Sequence, residues 1–422
     1  MLITKFKQQL SSRFIRNIGW LGLGELIPRI FRLGITVILA HFLSAYDYGL
    51  AAIVMTVGEF SRVFTELGIG AKIIQADKEE LEELCNSAYW LTWIVLPAIF
   101  IIQCLAAFPI SWFYGSNQII LPICVSGIPY LIWPISAIQG TLIERENRLK
   151  ITAFHNTIYT SGSYILSAIL AFCGMGMWSI VLPWVLIAPI GVYIYYVNHP
   201  WRPSSGMTTK HWKEIFNFGK NFLGIRLLGT LRNNLDYLIV GRFLGVKELG
   251  IYFFGFNAGL GISLSIIGAV TSAILPHLCE ARVDKLEFKK VYLHTLKTIG
   301  IIIIPWVILQ SSLAPFYVPL VFGQKWVVAI PILILVCLSA IPRPFANAAS
   351  QLLVAIGRPD LDLRWNILFT TLFSCALLIG VHWQAIGVAT SVLLLHFLCL
   401  PLFTLWVIRY VFPNYKNLSI KG

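Results

Sequence analysis

Residues 17 to 42 read NIGWLGLGELIPRIFRLGITVILAHF, an apolar run that carries Glu25, Arg29 and Arg32. At a rise of about 1.5 Å per residue the run is long enough to cross a bilayer, and its spacings put these charges on one helical face. A charge at membrane depth costs roughly 2.5–3.5 kcal/mol on insertion scales, so such residues face a bundle interior or a water-filled cavity. Arg29 and Arg32 lie roughly 20 to 24 Å beyond Arg16 by helical rise, past the middle of the span. The stretch predicts a membrane helix that lines a cavity.

Composition places the rest of the chain in the same class. Of 422 residues, 57% are hydrophobic and only 12% charged, about half the charged share of a soluble domain. This is the composition of an all-α integral membrane protein with little mass outside the bilayer. The net charge of +13 is spread between apolar segments, as a positive-inside bias leaves it, and gives no basic patch for nucleic acid. The cysteines are dispersed, without CxxC spacing, and the histidines stand singly, so packing explains both and no metal site is expected. Neither GxxxxGK[ST] nor HExxH occurs, which leaves no P-loop, no zinc-protease helix and no cofactor motif.

Hydropathy with Gly, Pro and charge breaks suggests about twelve spans. If the first leaves the cytoplasm, the loops on that side hold Lys5, Lys7, Arg13 and Arg16, then Arg145, Arg148 and Lys150, then Arg202, Lys210 and Lys213, and so on to Lys416 and Lys421. The opposite side holds only Arg242, Lys247 and Lys325. This asymmetry predicts that both termini are cytoplasmic. The acidic run Asp77 to Glu83 falls on the cytoplasmic side and does not alter that reading, and the Pro- and Ser-containing stretch Asn198 to Lys213 reads as an interfacial linker between halves.

The halves, residues 1–200 and 201–422, resemble each other. FLSAYDYGL at 42–50 lines up with FLGVKELGI at 243–251, a constant offset of 201 residues, and Pro134 has a counterpart in Pro344. An even number of spans per half relates two six-helix lobes by a pseudo-two-fold axis along the membrane normal.

The charges inside the spans are unevenly placed. Glu25 can pair with Arg29 at i, i+4, and Arg62 lies between Glu59 and Glu66, so a structural ion network competes there with a lumen role. Arg226 occupies the repeat position of Glu25, Arg232 has Asp236 at i+4, and Arg343 stands between Pro342 and Pro344, where a broken backbone ladder is tolerated beside a cavity. Arg29, Arg32, Arg62, Arg226, Arg232 and Arg343 outnumber the acids, and guanidinium forks suit phosphate. Glu25, Glu59, Glu66 and Asp236 are candidates either for ion coupling or for structural pairing.

The motifs AHFLS at 40–44, DYGL at 47–50, ELGIG at 66–70 and LIERE at 142–146 closely resemble those of bacterial polysaccharide and O-antigen flippases. These form the polysaccharide transporter branch of the multidrug/oligosaccharidyl-lipid/polysaccharide exporter superfamily. The resemblance implies a carrier, not an enzyme, for undecaprenyl-diphosphate-linked oligosaccharide in the bacterial cytoplasmic membrane, working by alternating access. It maps a cationic cavity onto Arg29, Arg32 and Arg62, and then onto Arg226, Arg232 and Arg343. Membrane lipid and polysaccharide assembly proteins would be its partners. Many relatives have two further helices; this chain is expected to stop after twelve. A membrane-embedded polysaccharide polymerase or ligase is the enzyme alternative, disfavoured by short outer loops. A drug/cation antiporter of the same superfamily is disfavoured because an arginine-lined lumen repels cations.

Overall fold

The computed structural model describes residues 28, 31–65, 68–204, 206–260 and 285–412. Glu25, Arg29 and Glu66, the basic terminal segments and Arg282 lie outside the described residues. The described chain is helical, without strands. Helix α1 spans Phe31–Phe42. It is followed by α2 (Ala45–Thr65), α3 (Ile69–Gln75), α4 (Leu81–Tyr114), α5 (Ile120–Ser126), α6 (Pro129–Ile132), α7 (Ala137–Arg145), α8 (Leu149–Phe172) and α9 (Trp178–Asn198). Then come α10 (Trp212–Leu244), α11 (Val246–Ala258), α12 (Lys285–Tyr317), α13 (Ile330–Leu338), α14 (Arg343–Ala355), α15 (Pro359–Gly380) and α16 (Gln384–Val411). Six stretches of the described residues are long and apolar enough to cross a membrane; the number twelve stays an expectation of the sequence. Trp112, Phe316 and Leu320 are among many large apolar side chains left exposed, as befits helices whose outer faces meet lipid rather than water.

The chain divides into two compact units, Met1–Leu231 and Arg232–Gly422. In the first, α8 and α9 form the most extensive helix pair, and in the second, α15 and α16 do. The aligned segments both fall at helix junctions, α1 to α2 and α10 to α11, and in each the last residues, Tyr48-Gly49-Leu50 and Leu249-Gly250-Ile251, are buried. The core of the second unit is built around Trp326, fully buried and stacked on Phe254 with ring centroids 3.9 Å apart.

Breaks in helices are repaired locally. Between α5 and α7 the chain passes Gly127, Pro129 and Pro134, which interrupt the ladder. Buried Gln103 on α4 donates Nε2 to the Ile123 carbonyl (2.7 Å) and to Ser126 Oγ (3.0 Å), so a polar group freed by the break is satisfied. Beyond α11, Gln310 on α12 donates in the same way to the Gly259 carbonyl (2.8 Å).

The family-like motifs prove to be helix clamps. Asp47 accepts from the Ser44 amide (3.0 Å) and hydroxyl (2.6 Å), and from the Met177 amide at the start of α9 (3.3 Å). Gly68 takes φ +76°, and a Cβ there would meet Phe218 Cδ1 at 2.9 Å, so only glycine serves both the turn between α2 and α3 and the close passage of α10. Arg145, ending α7, donates to the carbonyls of Ile73, of Ile74 (3.1 Å) and of Ala76 (2.6 Å), neutralising the C-terminus of α3. The acidic run and the linker also meet: Lys210 pairs with Glu83 at 2.8 Å and Trp212 Nε1 donates to the Ser87 carbonyl at 2.9 Å.

Candidate functional site

The first unit holds a cavity of about 600 Å³, lined from α2, α3, α4, α7, α8 and α9 and by the turn before α7. Arg62, in the last turn of α2, is exposed and faces it. Tyr130 and Tyr159 lie within electrostatic reach of its guanidinium. The rest of the lining mixes aromatic rings, Trp133, Tyr159, Trp184 and Tyr195, with hydrogen-bonding groups on Thr141, Glu144, Asn156 and Thr160. His155 is sandwiched into this wall, parallel to Tyr195 (centroids 4.0 Å, 13°) and to Tyr159 (5.7 Å, 17°). Such a mix of apolar area and a few convergent polar groups, at this volume, is typical of small-molecule and cofactor sites.

Two further candidate cations of the first unit are also accessible. Arg32 on α1 is partly exposed, with Tyr164 of α8 within electrostatic reach, and Arg226 on α10 is exposed. Glu59 on α2 is exposed too.

The second unit treats its charges differently. Asp236 is buried on α10, where Oδ2 accepts from the Tyr252 hydroxyl (2.9 Å) and Oδ1 from the Tyr237 amide (3.0 Å). Arg232 donates to Asn366 Oδ1 on α15 and has Asp362 as its electrostatic partner. The pairing of Arg232 with Asp236 expected from their i, i+4 spacing is therefore replaced by contacts with another helix. Arg343 opens α14, reaches Ser339 Oγ at 3.5 Å and has Asp236 within electrostatic range; its buried Nε finds no partner among the described residues. Buried His396 on α16 bonds the Val392 carbonyl (2.6 Å) and meets Phe369 and Phe373 edge to face. Among the described residues no group of His, Cys, Asp and Glu side chains is arranged to hold a metal ion.

Sequence reasoning singled out Arg62, which borders this cavity, and gave no role to the aromatic wall, because Tyr159, Trp184 and Tyr195 sit in apolar spans that read as packing. His155 was likewise assigned to packing. The signal that points to them is clustering: aromatic residues of α8 and α9 at spacings that bring Tyr159, Trp184 and Tyr195 to one face of the helix pair.

The chain is similar to proteins of polysaccharide assembly. It is 26% identical over 329 residues to the teichuronic acid biosynthesis protein TuaB of Bacillus subtilis (strain 168), covering 76% of this chain and 67% of that one. It is 23% identical to the lipopolysaccharide biosynthesis protein WzxC of Escherichia coli (strain K12), over 91% of this chain and 79% of that one. Its fold matches the lipid II flippase MurJ in an inward closed conformation, with a TM-score of 0.74, 13% identity, and coverage of 92% and 87%. It also matches an inward-facing multidrug resistance MATE family transporter, with a TM-score of 0.72, 16% identity, and coverage of 94% and 99%. These neighbours share the two-lobe all-α fold of membrane transporters. Residues 38–331, well over half of the chain, match the family described as polysaccharide biosynthesis protein, and the chain belongs to that family.

Proposed function

We propose that the chain is a flippase that carries undecaprenyl-diphosphate-linked oligosaccharide repeat units across the bacterial cytoplasmic membrane by alternating access. The observation that carries this reading is one chain joining a polysaccharide biosynthesis family match over residues 38–331 to the fold of a protein named as a lipid II flippase. Two six-helix lobes, residues 1–200 and 201–422, with both termini in the cytoplasm, would open to each side in turn. The polyprenyl tail stays in lipid while the head group crosses through the lumen.

In this reading Arg29, Arg32, Arg62, Arg226, Arg232 and Arg343 line the path of the diphosphate or of an acidic glycan, and guanidinium forks bind such oxygens bidentately. Support is strongest for Arg32, Arg62 and Arg226, which remain at least partly accessible. Arg232 and Arg343, engaged with Asn366 and Ser339, carry less of the argument. Among Glu25, Glu59, Glu66 and Asp236, exposed Glu59 suits ion coupling and Asp236, satisfied by Tyr252, suits a structural role. The drug/cation antiporter reading shares the fold but not the charge, since these cations would repel its substrate. Polysaccharide assembly proteins would supply and receive the lipid-linked units.

The test is glycan export in cells holding each variant at normal level in the membrane. Arg32→Lys should retain more export than Arg32→Ala, because lysine keeps the charge and loses the fork. Intact export with alanine at Arg29, Arg32 and Arg226 together would refute the anion path. Single cysteines at Ser44, Ser116 and Gln384 should label from outside the cell, and labelling only after permeabilisation would overturn the orientation.

A further inference from the structure

We propose that the cavity of the first unit is a saccharide subsite, in which a pyranose ring of the transported glycan lies against the aromatic wall at Tyr159, which with Tyr195 encloses His155 in a stack of rings. This deepens the flippase reading and rests on it for the source of the sugar.

The stack is held in place by close backbone contacts. A Cβ at Gly191 would meet His155 Nε2 and Tyr159 Cδ2, each at 2.9 Å, and one at Gly140 would meet Tyr195 Cδ2 at 3.1 Å. The absence of side chains at these glycines lets the rings lie directly on the backbone of α9 and α7. Tyr159 is further fixed through its hydroxyl, which donates to the Trp184 carbonyl at 3.2 Å, and its ring meets the Trp184 ring at 5.7 Å. A wall serving only to pack helices would close against its neighbours, yet these rings border a space of about 600 Å³ together with Asn156, Glu144 and Arg62.

That combination fits a sugar. One face of a pyranose is a patch of C–H groups that settles on a ring face, while its equatorial hydroxyls seek donors and acceptors around the rim. Glu144 and Asn156 supply acceptors, and Arg62 supplies donors that also suit a uronate carboxylate. A lipid tail would leave these polar groups unsatisfied.

Saturation-transfer NMR on the purified full chain in detergent, with methyl glucoside, methyl glucuronide and geranylgeranyl diphosphate as probes, tests this. Both glycosides should show saturable transfer to their ring C–H protons. Tyr159→Leu and Tyr195→Leu should each weaken it about tenfold, while Tyr195→Phe keeps it. Gly191→Ala, which displaces the wall without removing a ring, should weaken it as well. A preference for glucuronide that vanishes in Arg62→Gln would assign the carboxylate to Arg62; equal binding of the two glycosides would assign the site to neutral sugars. No saturable transfer from either glycoside, or wild-type transfer in properly folded Leu variants, overturns the subsite. Geranylgeranyl diphosphate binding that is lost in Arg32→Ala, but kept in the Leu variants, would support the flippase reading whether or not the subsite stands. Its absence from the wild type would count against that reading alone.

Discussion

The candidate charges of the two units are held in opposite ways. In the first, ionised side chains sit at helix ends and along accessible faces: Asp47 and Arg145 clamp the turns, and Arg62 borders open space. In the second, Asp236, Arg232 and Arg343 lie among α10, α11, α14 and α15 and contact one another's neighbourhoods, with Tyr252 and Asn366 as hydrogen-bond partners. The physical rule behind the contrast is desolvation. A charge in a low-dielectric interior must be compensated by fixed partners, whereas one beside a cavity is left for water or a ligand to satisfy. Charge count alone therefore does not separate charges fixed by protein partners from those left to solvent; accessibility does.

The contrast predicts its largest effect at Asp236. Asp236→Ala leaves the Tyr252 hydroxyl and the nearby Arg343 without their buried anion, at a cost of about 3–5 kcal/mol. Tyr252→Phe should cost less, about 1.5–3 kcal/mol for a hydrogen bond to a charged group. Thermal unfolding of the purified protein in detergent measures both. A loss at Asp236 no greater than that of an exposed acid would erase the distinction between the units.

The clamps of the first unit come next. Arg145→Ala frees the carbonyls of Ile74 and Ala76 at the end of α3 and should cost about 1.5–3 kcal/mol in the same assay. Because the loss falls on the turn beside the cavity, proteolysis within α3 should rise with it. Unchanged protection there would show that Lys72, paired with Glu214 at 2.6 Å, holds α3 without the arginine.

Arg62→Ala should do the reverse: little change in unfolding temperature, with glycan export lowered about tenfold, since one charge-assisted contact to an anion contributes about 1.4 kcal/mol or more. Substantial destabilisation with unimpaired export would move Arg62 from the cavity to the scaffold.

How much of this was legible in the sequence follows from range. The helices and their breaks are local, set by apolar runs and by Gly and Pro, so α4, α8, α9, α15 and α16 were readable from hydropathy. The junction of α10 and α11 was readable from its likeness to that of α1 and α2. Motifs such as ELGIG and LIERE were visible as a resemblance, but their physical work was not: Gly68 meets Phe218, and Arg145 reaches carbonyls about seventy residues earlier. Side-chain partners within one helix were overestimated for the same reason. Arg232 and Asp236 have the right spacing, yet Asn366 and Tyr252, from other helices, are the actual partners. The aromatic wall was illegible because stacking joins residues of α8 and α9 whose apolar surroundings hide them.

The smallest effect is expected at Glu146, in the turn between α7 and α8 outside the apolar stretches. His199 Nδ1 accepts the Trp201 amide (3.1 Å), which leaves Nε2–H to donate to Glu146 Oε1 (3.2 Å), while Arg148 donates to Oε2 (3.3 Å). Burial pushes the Glu146 carboxyl up, but the hydrogen bonds from His199 and Arg148 outweigh it and hold it below the ordinary value of 4.5. A depressed carboxyl contributes stability that is present above its unfolded value and lost as pH falls through its folded one. The loss belongs on the acid side, below the ordinary glutamate range, and not between neutral and alkaline pH. Glu146 is about half exposed, so solvent screening limits the contribution to about 1 kcal/mol or less. Glu146→Gln should flatten the acid limb of unfolding temperature against pH by that small amount and leave the neutral region nearly unchanged. A loss as large as that at Asp236 would mean that the turn, like the second unit, depends on a sealed charge.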